Sequence, residues 1–395
     1  MTDAPDTPDA DGPRIPGAPD AAARLFRLLL ERLPELLETP ADPPAGSSLV
    51  PGRSREGRPI RAWRFGRGPR RVSLIGGCHA DEPVGPHLLR RLAAHLADRP
   101  PDDPLLGGFE WWLLPHLNPD GEARNRAWYD EEPGGLRYDV ARFVRHVERE
   151  PPGEDVEFGF PRGPDDGGAR PENRAARRWW RSAEGPFRLH ASLHGMAVGA
   201  GPWYLVEPAW ADRCGRLMER CRRATDRLGY ALHDDPRRGE KGFRRLARGF
   251  STRPDSGAMR EHFAARGEEE TARLFRPSSM ETIRSLGGDP LTLVSEMPLF
   301  LAPMDDGRSS GGGNGAGRRN GADGGRRAAY APWKARLARW RRALEAGEAG
   351  PADVEAAARD AGVRAMDVED QMRLQWTFLA AGLEQAEAVA GTPGG

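Results

Sequence analysis

Residues 71–83 read RVSLIGGCHADEP, a short apolar run closed by two glycines and followed by His79, Glu82 and Pro83. The run predicts a buried strand from about Arg71 to Gly77. His79 then falls just past the strand end, and Pro83 opens a helix that carries Leu88, Leu89, Leu92 and Leu96 at helical spacing. A strand that feeds a helix through a loop bearing polar side chains is where open α/β sheets place their ligands.

Working outward, residues 51–70 predict two short strands and a turn, and residues 109–121, FEWWLLPHLNPDG, predict another apolar strand that stops at the turn-forming NPDG. Upstream, Leu25, Leu28, Leu29, Leu33 and Leu36 recur as in an amphipathic helix. Downstream, Glu122 to Ala169 is polar, with EEPGG and RGPDDGG clusters, and predicts surface loops. A helix from Pro171, strands in FRLHASLHG and PWYLVE, a helix over about 209–228 and a last strand in LTLVSEMPLF complete the alternation. The expected class is α/β, a sheet flanked by helices.

Four regions follow from composition. Residues 1–20 are rich in Pro, Asp and Gly and predict a disordered tail. Residues 21–304 predict the main folded domain, 305–329 a Gly-rich flexible linker, and 330–395 a small helical appendage with Leu374, Phe378, Leu379 and Leu383 along one stripe. That stripe serves either an inert solubilising appendage or a contact with a protein partner.

The 59 basic and 59 acidic residues cancel, which removes any global field toward nucleic acid or an anionic membrane. No stretch is apolar enough to span a bilayer, and residues 1–20 lack a basic start and an apolar run, so the expectation is a cytoplasmic protein with neither nucleic acid nor membrane as partner. Cys78, Cys214 and Cys221 form no paired framework and no CxxC, as expected in a reducing compartment.

His79 and Glu82 form an HxxE pair, a pattern that chance alone supplies on the order of once in a chain of this composition; its place after an apolar strand is what gives it weight. His194 ends the apolar strand LHASLHG beside Gly195, as a ligand or as an ordinary strand-end histidine. His190 shares its face but lies about 13 Å away along an extended chain, so His194 is the preferred ligand and His190 the structural one. Two histidines and one carboxylate leave the fourth tetrahedral position of Zn2+ open for water, as in catalytic sites. Glu296, at the end of LTLVSE and before a proline, is the candidate base, or else an exposed strand end.

In order, GRSREGRPIRAWRFG, GGCHADE, HLNPDGEARNR, RPENRA, SLHG and VSEMP resemble the zinc carboxypeptidase family of the carboxypeptidase A type, from about Pro51 to Met297. The resemblance implies a mixed, mostly eight-stranded central sheet with helices on both faces, and one zinc held by His79, Glu82 and His194. It also implies hydrolysis of a peptide or amide bond by a zinc-activated water with Glu296 as general base. An arginine after NPDG that stabilises the oxyanion corresponds to Arg126, with Arg124 as the alternative. The Asn-Arg pair that holds a terminal carboxylate is matched only by Ala141 and Arg142, so the asparagine is missing, and Arg142 reads equally as one surface charge among many. No tyrosine lies between Tyr230 and Glu296 to match the family's late-loop tyrosine. These departures imply an unusual peptide or an amino-acid conjugate as substrate, with Arg142 and Arg124 as candidate substrate-binding residues. The alternatives are a deacylase of N-acyl amino acids resembling aspartoacylase or succinylglutamate desuccinylase, and a non-catalytic binding protein on the same fold.

Overall fold

A computed structural model describes residues 18–43, 46–129, 136–163, 166–235, 237–304 and 331–391. The segments expected to be a disordered tail and a Gly-rich linker lie outside the described residues, apart from Ala18 onward, where the first helix, Ala18–Glu31, begins.

The strands are β1 (Leu49–Arg53), β2 (Pro59–Phe65), β3 (Arg70–Gly76), β4 (Phe109–Leu114), β5 (Leu189–Gly199), β6 (Trp203–Val206), β7 (Arg245–Ala247), β8 (Phe250–Thr252), β9 (Leu291–Leu301) and β10 (Arg364–Ala365). Eight of them form the expected mixed sheet in the order β2-β4-β3-β5-β9-β6-β8-β7; β1 extends one edge and the two-residue β10 pairs with β9. The centre, β4-β3-β5-β9, is parallel. Its strands are buried on both faces, which is why they read as continuous apolar runs.

Alternation sorts the side chains. Leu189, Ala191 and Leu193 of β5 join the core on one face, under the helices Val84–Ala97, Gly215–Arg227 and Val368–Ala390. His190, Ser192 and His194 point to the other face, where Trp112, Trp179, Trp180 and Phe160 pack near the helix Pro171–Arg181. Gly85 lets the helix Val84–Ala97 rest directly on β5: a Cβ there would lie 2.4 Å from the Leu193 carbonyl oxygen.

Two local expectations change. NPDG is not a turn leading into loops, because Asn118 accepts a hydrogen bond from the Gly121 N–H at 3.0 Å and Pro119 occupies the first turn, so a helix runs Pro119–Tyr129. Nor do β5 and β9 stop at His194 and Glu296; both run on, to Gly199 and Leu301. Pro298 is tolerated inside β9 because β6 leaves the ladder after the Trp203–Glu296 pair, which makes β9 an edge on that side until β10 joins at Phe300.

The C-terminal helices are present, and the last one, Val368–Ala390, lies in the core of the sheet domain. Leu374, Trp376, Phe378, Leu379 and Leu383 are buried with β5 and β9 residues, at about 1.5–3 kcal/mol of transfer free energy for each large side chain. Gly382 permits the approach, since a Cβ there would come within 2.5 Å of Leu293. Glu384, fully buried, takes a two-pronged bond from Arg220 at 2.9 and 2.9 Å. The stripe left open for a partner by the sequence is therefore filled by this chain's own core. Ahead of it, the helices Ala331–Ala346 and Pro351–Asp360 cover Trp128, Phe143 and Phe300 through Trp333, Trp340 and Val354. No helix among the described residues is long and apolar enough to cross a membrane.

Candidate metal centre

The turn after β3, closed by the Glu82 N–H bonding the His79 carbonyl at 3.3 Å, brings the two side chains together. His79 Nδ1 lies 2.9 Å from Glu82 Oε1. His194 reaches the same carboxylate from β5, with Nδ1 2.8 Å from Glu82 Oε2 and 3.2 Å from His79 Nδ1. Two imidazole nitrogens and a carboxylate thus converge, one donor atom from each residue lying within 4.8 Å of the others. The set fits a zinc ion of the catalytic type, three protein donors with a position left open.

The protonation pattern points the same way. Burial opposes charge on both partners, but His79, Arg149 and His194 outweigh it and hold Glu82 well below the usual carboxylate range. Burial would likewise lower His194, and Glu82 and Glu157 instead hold its imidazole well above the ordinary value. Protons on the imidazoles supply positive charge where a cation would otherwise supply it.

Glu296 is the register neighbour of His194 on the parallel strand β9, so both side chains leave the same face of the sheet. Burial, and then the negative charge of Glu82, push its carboxyl up to about 7 against the pull of His194 and His79. Sheet register, not a strand end, puts Glu296 beside His194.

The arginines divide. Arg124 lines a cleft of about 190 Å³ with His79, Gly121 and Arg149. Arg126 faces another pocket, with Trp63, Arg90, His116 and Glu122. Arg142 sits exposed on the helix Val140–His146 and donates to the Ala127 carbonyl at 2.9 Å, outside that cleft. The structure therefore places Arg124 on the cleft wall that His79 shares, where it pairs with Glu56 and Glu148, and leaves Arg126 and Arg142 outside that cleft; helical periodicity turns residues 124 and 126 to different sides.

Three residues escaped the sequence. Arg149 reaches into the cluster, its guanidinium 3.1 Å from Glu82 Oε1 and 3.3 Å from Asp81. Asp155 Oδ2 lies 3.9 Å from His79 Nε2, and Glu157 Oε2 lies 3.1 Å from His194 Nε2. The one local signal was the alternation of Asp155 and Glu157 with apolar Val156 and Phe158 inside a polar stretch; all four are buried in the structure.

The mixed sheet carries a two-histidine, one-glutamate cluster, a candidate metal site, beside a glutamate on the neighbouring strand. Residues 41–256 match the family model described as zinc carboxypeptidase, and the chain belongs to that family. It is 33% identical over 137 residues to Carboxypeptidase SOL1 of Arabidopsis thaliana, covering 33% of this chain and 24% of that protein. It is 35% identical over 83 residues to a protein of Talaromyces marneffei named an inactive metallocarboxypeptidase, covering 18% of this chain and 14% of that protein. The matched stretches thus span less than a quarter of either relative's length. Among solved structures, carboxypeptidase A of Helicoverpa armigera aligns over 92% of this chain and 72% of its own at 14% identity and a TM-score of 0.45. A metallo-carboxypeptidase of Burkholderia cenocepacia aligns over 90% of this chain and 67% of its own at 15% identity and a TM-score of 0.38.

Proposed function

We propose that this chain is a zinc-dependent hydrolase that cleaves a peptide or amide bond in a peptide or amino-acid conjugate. The observation that carries the reading is the convergence of His79 Nδ1, Glu82 and His194 Nδ1 with Glu296 on the adjoining strand. Zinc bound there would supply Lewis acidity and a water of lowered pKa. Glu296 takes the proton from the attacking water and passes it to the leaving nitrogen; a carboxyl near 7 is tuned for both directions of that transfer at neutral pH. Arg124, on the cleft wall beside His79, is the donor proposed for the oxyanion.

Glu296→Gln tests the reading. The variant should keep about one zinc per chain by elemental analysis and lose about 100-fold or more of the hydrolysis rate. Hydrolysis at the wild-type rate by the variant would remove Glu296 from the mechanism. A wild type that holds zinc and cleaves neither peptides nor conjugates would make the chain a binding protein.

The size of the cleft, about 190 Å³, favours a second reading, a small N-acyl amino acid as substrate, because pockets for larger ligands run to several hundred Å³. Parallel assays on C-terminal peptides and on acyl-amino acids separate the two readings.

A further inference from the structure

On the side of His194 away from Glu82 lies a second, fully enclosed polar group: Ser192 Oγ at 2.7 Å from Nε2, Glu157 Oε2 at 3.1 Å from the same nitrogen, and Cys78 Sγ at 3.7 Å from Ser192 Oγ. Glu157 is 6% exposed and His194 2%. The Glu157 oxygen has no well-aligned hydrogen bond of its own among the described residues, so the imidazole edge is the polar group it faces. A carboxylate so buried is destabilising unless a donor compensates it. The His194 Nε2–H is a donor within reach, beside the weaker Cys78 thiol.

We propose that Glu157 is a positioning residue for the metal centre: it holds His194 in the tautomer with the proton on Nε2, which turns the Nδ1 lone pair toward Glu82 and His79. The inference rests on the reading that these three residues bind zinc. Ser192 is the weaker orienter, because a hydroxyl can accept from Nε2–H or donate to a bare Nε2 and so fixes neither tautomer, whereas an ionised carboxylate only accepts. Together with Asp155 behind His79, one short segment, Asp155-Val156-Glu157, then backs both histidines, its buried Val156 fixing the spacing. Carboxylates behind metal-bound imidazoles set ring orientation and raise ligand basicity.

The cluster Cys78, Glu157 and His194 also has the donors of a metal site, and that is the competing role for Glu157. Three proteins are compared by competition against a chromophoric zinc chelator and by metal stoichiometry: wild type, Glu157→Gln and Ser192→Ala. We expect one zinc per wild-type chain, a loss of affinity of about 10-fold or more in Glu157→Gln, and a smaller loss in Ser192→Ala. Wild-type affinity in Glu157→Gln overturns the positioning role while leaving the zinc reading intact. A second zinc in the wild type, lost with Glu157→Gln, overturns it too, by making Glu157 a ligand. No zinc in the wild type defeats the underlying reading, and the inference with it. Should Glu157→Gln not fold, nitrogen-15 spectra of His194 in the zinc-loaded wild type decide: a proton on Nε2 supports the proposal, and an unprotonated Nε2 overturns it.

Discussion

Arg124 and Arg126 differ by two positions on one helix, a rotation of about 200° about its axis, and that rotation separates the cleft beside His79 from the pocket around His116. Arg124→Ala should therefore lower kcat by about 100-fold or more with KM little changed, as loss of an oxyanion donor does, while Arg126→Ala should remain near wild type. Steady-state kinetics on the preferred substrate check both, and the reverse pattern would return the oxyanion role to Arg126. His190, the histidine assigned a structural place, bridges Ser73 and Ser279 at 3.0 and 3.1 Å, and burial pushes its pKa down to about 3. The sign follows. Above its ordinary value of 6.5 neither folded nor unfolded chain protonates this ring; below 6.5 the unfolded chain binds a proton that the folded one refuses, down to about 3. Stability should thus fall on acidification, by about 2 kcal/mol from this residue at pH 5. Urea unfolding at pH 7 and pH 5 should show that difference shrink in His190→Asn.

Elements carry the site through their contacts. The helix Val84–Ala97 begins two residues after Glu82 and meets β5 through Gly85, one residue from His194 in register with the ligand strand. A side chain at 85 would meet backbone, which cannot rotate away as a flexible side chain can. Gly85→Ala should accordingly push the helix off β5, cost roughly 1–3 kcal/mol and weaken zinc binding at the same time; a variant that loses stability with zinc affinity unchanged would show that helix and ligand turn are uncoupled. Calorimetry with and without zinc reads both. β9 illustrates how an element can be identified and still mis-bounded. Its apolar run is plain in LTLV, but whether Pro298 ends it depends on a neighbour, and the neighbour on that side, β6, has already left.

At the scale of the whole molecule, the helix Val368–Ala390 is part of the sheet domain. Its Gln375 donates to the His194 carbonyl at 3.3 Å and to Ser295 Oγ at 3.1 Å, so the last helix touches the backbone of His194 and the residue before Glu296. Truncation after Met304 should remove this packing and yield insoluble or unfolded protein; a soluble, active fragment by circular dichroism and assay would show that the sheet stands without it. Domain size alone makes this loss severe, because total stabilities are typically 5–15 kcal/mol and the helix buries five large apolar side chains, Leu374, Trp376, Phe378, Leu379 and Leu383.

The sequence by itself determined the α/β class and the strand before His79, and it singled out the HxxE turn, His194 and Glu296 as candidates, because apolar runs with a fixed period and residues close in the chain are local properties. It also carried enough ordered motifs for the family resemblance. Only the tertiary structure decided that Arg124 rather than Arg126 lines the cleft beside His79, that Glu296 faces His194 through strand register, that Asp155 and Glu157 stand behind the two histidines, and that the C-terminal helix fills the core. Each of these depends on which face an element turns inward and on pairings between residues far apart in the chain, such as 157 with 194 and 375 with 295, and neither period nor composition encodes such contacts.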